Sequence, residues 1–155
     1  MDSTLYFGVH TTLCRFFAAF DKRDWASMGN CLTPEIFIDY SSSGRESAVT
    51  MTGEAFVNNR KSAVDNLTKQ HSFSNLYIRG HADEAGIFAS CNYLILRFDL
   101  SNPSQSDNFF HSCGQYEFTL EQHADDLKIS SIKQLKLQSW GNESLRGGSK
   151  AANVD

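Results

Sequence analysis

Past Lys69 the chain alternates apolar and polar residues through four long stretches, about 70–81, 86–99, 108–122 and 127–140, with short gaps between them. The separators are Asp83-Glu84, the Ser/Asn/Pro-rich segment 101–107 and Ala124-Asp125-Asp126, all of hairpin length. Parallel neighbours would need crossovers of a dozen or more residues, which none of these separators provides. Half of the chain must therefore be an antiparallel, strongly twisted meander, and one of its faces needs an apolar cover.

The first 69 residues supply that cover. Val9, Leu13, Phe16, Phe17 and Phe20 recur at helical spacing, which predicts an amphipathic helix with an aromatic inner face ending near Asp21. Asp24 is a good N-cap for a short second helix carrying Trp25, Met28 and Leu32, with Pro34 as its stop. Period-two alternation of Ile36, Ile38 and Tyr40 then predicts a strand over 35–40, with Asp39 on its other face. The polar segment Ser41 to Met51 reads as a mobile loop. Thr52 can cap a third helix bearing Phe56, Val57, Arg60, Val64 and Leu67. The expectation is one α+β domain over 1–141, a cone-shaped barrel of curved antiparallel sheet covered by N-terminal helices, and a Gly/Ser/Asn/Ala-rich flexible tail over 142–155. A curved sheet closed by helices leaves a conical hollow in which a small molecule can sit.

Charge narrows the partners. With 14 Lys+Arg against 18 Asp+Glu and a formal charge of −4, the chain lacks the basic face that binds a nucleic-acid backbone. No apolar run approaches the roughly 20 residues that span a bilayer, and Asp2 stands where an export signal carries basic residues, so neither membrane nor secretion is expected and a cytoplasmic location is. Cys14, Cys31, Cys91 and Cys113 show no C-x-x-C pairing and read as reduced, buried small hydrophobes, Cys113 being kept open because its neighbourhood is polar. There is no phosphate-binding glycine loop, His/Glu metal spacing or serine-nucleophile elbow, and hence no expected cofactor or metal.

Inward polar side chains carry the chemistry, because a buried unpaired polar group costs several kcal/mol. Asp21 closes the aromatic face of the first helix, Tyr40 continues the parity of Ile36 and Ile38, His71 opens the first long strand of the meander, and Gln115 lies mid-strand beside Cys113. His111 shares parity with Cys113 and Gln115, and is read either as a second site histidine or as a solvated residue at the strand entrance. His10, His81 and His123 read as water-facing.

Four blocks then resemble a known family. Phe17-Ala18-Ala19-Phe20-Asp21-Lys22-Arg23-Asp24-Trp25, Leu32-Thr33-Pro34-Glu35 leading into Ile38-Asp39-Tyr40, Thr52-Gly53-Glu54-Ala55-Phe56-Val57 and Lys69-Gln70-His71 are similar to the nuclear-transport-factor-2-like (SnoaL-like) superfamily, and within it to the scytalone dehydratase branch. The resemblance implies a cone with a single buried pocket, commonly in homodimers or homotrimers, and an Asp–His pair with tyrosines acting on a polyketide-like phenolic ketone. By position, the Asp is Asp21, the His is His71 and one pocket tyrosine is Tyr40. The chain departs elsewhere: Phe20 stands for a pocket tyrosine, Leu96 falls near the second histidine, and Cys113 and Gln115 fall near a Ser and an Asn. The retained pair also resembles that of hexachlorocyclohexane dehydrochlorinase, which performs an elimination.

A carboxylate that accepts an imidazole N–H fixes the tautomer and raises the ring's pKa toward the operating pH, giving a base. The reading is a cofactor-independent, dehydratase-like lyase on a small hydrophobic oxygenated molecule. His71 is base and acid, Asp21 orients it, Tyr40 polarises the substrate oxygen, and Gln115, Cys113, Phe20 and Leu96 line the pocket. An isomerase or cyclase would need the same groups. A non-catalytic ligand-binding or dimerisation module would instead separate Asp21 from His71 or fill the hollow with phenylalanines.

Overall fold

The structure, a computed structural model, describes residues 2–44, 47–63, 65–80 and 86–146. Val64, His81, the Asp83-Glu84 separator and the tail beyond 146 lie outside the described residues.

Helix α1 spans Ser3–Lys22, with Asp2 as N-cap accepting from the Thr4 N–H. It ends where Arg23 turns left-handed (φ 53°) and returns its N–H to the carbonyls of Ala19 and Phe20. Val9, Leu13 and Phe16 are almost wholly buried, as the periodicity requires, and each such side chain contributes roughly 1.5–3 kcal/mol by leaving water. Helix α2, Trp25–Asn30, is capped by Asp24, and α3, Gly53–Ser62, by Thr52. The third helix is shorter than its apolar spacing suggests; Leu67 lies beyond it, buried just before the next strand.

Six strands form one sheet in the order β2-β1-β6-β5-β4-β3. The meander is as expected: β3 (Thr68–Arg79), β4 (Ile87–Phe98), β5 (Phe110–His123) and β6 (Asp126–Gly141) pair antiparallel in succession. Two features qualify the antiparallel expectation. Strand β1, Leu32–Asp39, joins β6 in parallel, so the sheet is mixed. Strand β2, Val49–Thr52, comes from the expected loop and pairs antiparallel with β1. Pro34 does not stop α2. It sits inside β1 where the register against β6 shifts, one of the places a sheet tolerates a residue without an N–H.

The sheet curves without closing, and β2 and β3 are its free edges. Register shifts at Ser74/Tyr77, Cys113/Gly114 and Thr119/Leu120 add twist, the first with Asn75 at φ 53°. Gly114 sits at one of these shifts, where a Cβ would come within 2.1 Å of the Leu135 carbonyl oxygen. Helix α1 packs across the concave face through Phe16, Phe17 and Phe20. Beyond Gly141 the chain makes a short turn over Glu143–Leu145, and the Arg146 guanidinium donates to the Ser43 carbonyl. No helix among the described residues is long and apolar enough to cross a membrane.

Candidate active site

The end of α1 and the start of β3 are clasped together. Arg23 reaches from the helix terminus and donates to the carbonyls of Asp65 and Leu67, at 2.7 and 3.0 Å, and to the Asp65 carboxylate. Asp65 also pairs with Lys69 and accepts from the Leu67 N–H. This clasp sets Asp21, in the last turn of α1, against His71, the fourth residue of β3.

Asp21 Oδ1 lies 2.6 Å from His71 Nδ1, and both carboxylate oxygens lie 3.0 Å from the His71 backbone nitrogen. A carboxylate only accepts, so Nδ1 carries the proton and donates it, leaving Nε2 with the basic lone pair. The ring plane is fixed by stacking on Phe20 (centroids 5.1 Å, 30°) and Phe17 (5.9 Å, 17°). Burial lowers the His71 pKa below its ordinary value; the hydrogen bond and charge of Asp21 push it up but lose to burial, and Arg97 and Lys69 add to the depression. The net direction is opposite to the upward shift expected from the pair alone. The ring rests neutral, the form a base needs.

His71 lines a cavity of about 200 Å³ whose walls include Phe20, Trp25, Tyr40, Ile95 and Tyr116. Tyr40 is buried at the end of β1, with the Arg60 guanidinium 5.2 Å from its ring centroid. A larger cleft of about 510 Å³ lies between α1, α2 and the β5–β6 turn, but its charged residues, among them Arg15, Asp24 and Lys128, are rim groups without a buried acid–base pair. We place the candidate site in the smaller cavity.

Of the residues singled out in the sequence, Asp21, His71, Tyr40 and Phe20 come together here. Leu96, Cys113 and Gln115 do not. In β4 the inward positions are Tyr93, Ile95 and Arg97, so Leu96 points to the other face. In β5 they are Ser112, Tyr116 and Phe118; Cys113 and Gln115 line a shallow groove on the outer side with Leu137. His111 also faces outward, yet it is neither a second site histidine nor solvated. It is buried among Phe98, Phe109 and Trp140, and its Nδ1 accepts from the Arg97 N–H at 3.1 Å.

Other water-side and core expectations shift as well. His10 is half-buried against Tyr6 and Phe73. Cys31 and Cys91 are buried, burial pushing the Cys91 thiol up to about 12, whereas Cys14 is exposed.

Among the cavity residues that escape the sequence reading are Tyr116, Gln134 and Arg97. Gln134 Nε2 donates to the Tyr116 hydroxyl at 2.9 Å, and Arg97 Nη1 donates to Ser112 Oγ at 3.0 Å. The alternation of Tyr116, Phe118 and Leu120 carries the signal that finds the first. Arg97 is betrayed by its place in the apolar run Leu94-Ile95-Leu96-Arg97-Phe98.

A family model, the SnoaL-like domain, matches residues 5–133. The chain belongs to the SnoaL-like family of the NTF2-like superfamily. Solved structures show the same α+β cone. The Kfla4162 protein of Kribbella flavida superposes with a TM-score of 0.79 at 13% identity, covering 90% of this chain and 95% of its own. A candidate scytalone dehydratase from Novosphingobium aromaticivorans gives 0.75 at 10% identity, covering 98% and 96%. ActVI-ORFA of Streptomyces coelicolor gives 0.68 at 18% identity, covering 86% and 98%. At these identities the likeness shows the fold alone. No curated protein sequence matches the chain.

Proposed function

We propose that this SnoaL-like protein is a cofactor-independent lyase of dehydratase type that acts on a small oxygenated metabolite through Asp21 and His71. The observation that carries the proposal is the 2.6 Å Asp21–His71 contact at the wall of a cavity lined by aromatic side chains. A binding-only module would be expected to separate the two groups or fill the hollow. The likeness to a candidate scytalone dehydratase agrees with an elimination chemistry.

Neutral His71 takes a proton from the carbon next to a substrate carbonyl through Nε2. The C–H electron pair moves onto the carbonyl oxygen, and the Tyr40 hydroxyl donates to the resulting enolate oxygen in a site with little competing water. The enolate then re-forms the carbonyl, a carbon–carbon double bond forms, and the β-hydroxyl leaves with the proton that His71 returns. One water is released and the imidazole is again neutral. Asp21 stabilises the transient imidazolium and keeps Nε2 aimed at the substrate.

The test is mass spectrometry of products from a panel of small β-hydroxy ketones and phenolic ketones. Loss of one water, abolished in His71→Ala and strongly reduced in Asp21→Asn, is the expected result. A product of unchanged mass would make the protein an isomerase or cyclase, and full turnover in both variants would remove the dyad from the mechanism.

A further inference from the structure

The cavity at His71 has the opposite charge balance to the rest of the molecule. The chain carries more Asp+Glu than Lys+Arg, yet among the described cavity-lining residues Arg23, Arg60, Lys61, Lys69 and Arg97 stand with one carboxylate, Asp65. Asp21, behind the His71 ring, adds a second, and the cations remain in excess. The cations occupy two depths. Arg97 is 7% exposed, at the floor, close enough to His71 for its charge to disfavour the imidazolium. Arg60 lies over the rings of Tyr40 and Phe56, at 5.2 and 4.5 Å from their centroids.

Cations gathered around a pocket draw in and orient a negatively charged ligand. Arginine's planar fork suits a carboxylate in particular. The walls say what the rest of that ligand is. Phe20 and Trp25 give flat apolar surface, and the volume of about 200 Å³ compares with the ~150 Å³ cavity that accommodates benzene. A volume of that order matches one substituted ring.

We infer that the cavity takes a single-ring aromatic or alicyclic carboxylate, its ring against Phe20 and Trp25 and its carboxylate directed to Arg97 and Arg60. This names the substrate class of the reaction proposed above and rests on that reading for its chemistry, though the binding can be tested without turnover.

Trp25 is a built-in reporter, because the chain has two tryptophans and Trp140 lies on the other face against His111. In a Trp140→Phe background, fluorescence titration with benzoate and salicylate is compared with benzamide and salicylamide. The acids should bind at least about tenfold more tightly than their amides, a gap of 1.4 kcal/mol or more. That preference should shrink as salt rises and disappear in Arg60→Gln or Arg97→Met, with amide affinity kept as the sign that the pocket is intact. Equal affinity for acid and amide, no binding of any probe, or a preference that survives both arginine variants overturns the inference. His71-dependent turnover of neutral ketones without a carboxylate preference would overturn it while leaving the dyad in place. A carboxylate preference in a protein whose His71→Ala variant turns over normally would do the reverse.

Discussion

Asp21 holds His71 at two points, the ring through Nδ1 at 2.6 Å and the backbone through its N–H at 3.0 Å to each carboxylate oxygen. The ring cannot turn without leaving the carboxylate, and the carboxylate is tied to the strand that carries the ring. Orientation, rather than an upward pull on the pKa, is therefore the main service Asp21 renders, since burial already outweighs that pull.

Substituting Asp21→Asn removes the tautomer bias while keeping size and shape. Turnover on a substrate found for the protein should fall by about 10²- to 10⁴-fold, the range of a positioned general base. Nitrogen NMR of the His71 ring should show the proton on Nδ1 in the parent protein and a mixture of tautomers in the variant. A variant with an unchanged tautomer and rate would contradict this assignment.

The pH dependence follows from the depressed pKa values of His71 and His111. Both rings are more readily protonated in the unfolded chain than in the folded one. Their contribution to stability is therefore fully present above the ordinary value of 6.5 and is lost as pH falls through that value toward the folded-state pKa. Urea unfolding at pH 8, 6.5 and 5 should show stability flat across the first interval and falling across the second, less steeply in His71→Asn. The rate constant kcat/KM should likewise hold steady down to 6.5 and decline below it, because it follows the free enzyme's base.

Tyr40→Phe removes one hydroxyl from a buried ring and leaves its packing. If that hydroxyl donates to the enolate oxygen, kcat should drop by about 10²-fold, as for loss of one oxyanion donor, with little change in Tm. Equal loss of Tm and rate would instead mark Tyr40 as a packing residue.

The outer-face assignment of Cys113 and Gln115 has its own check. Cys113→Ala and Gln115→Ala should alter kcat/KM by no more than about twofold, the size of an ordinary surface substitution. Gln134→Leu, which strips the donor from the Tyr116 hydroxyl, should alter it more.

Gly114 allows β5 and β6 to approach closely at the register shift beside these residues. Gly114→Ala puts a methyl group against backbone and against the Tyr93 ring, neither of which can move aside cheaply. A loss of about 1–3 kcal/mol is expected by chemical unfolding, the usual range for an overpacked site.

What could be read from the chain without coordinates depended on how local the signal was. The β3–β6 meander was legible because alternation and short separators lie next to each other in sequence. The parallel β1–β6 pair was not: its partners are drawn from opposite ends of the domain, and β2 is a largely exposed strand of four residues, too short for its alternation to stand out from a polar segment. Asp21 is legible as the polar residue that closes the aromatic face of the first helix, Tyr40 as one that continues the parity of Ile36 and Ile38, and His71 as one that opens a strand. The late-strand residues fail on parity: an inward reading of Cys113 and Gln115 is one position out of step with Tyr116 and Phe118, which fix the inward set. In a strand that single step exchanges the two faces.

The edge position of β3 gives Asp21 a further consequence. An uncovered edge strand offers its N–H groups to any extended chain that drifts past, and so seeds aggregation. By accepting the His71 N–H, Asp21 occupies one such donor at the rim of the pocket. Variants that silence this carboxylate lose part of that guard, so their solubility on prolonged storage deserves to be followed alongside their kinetics.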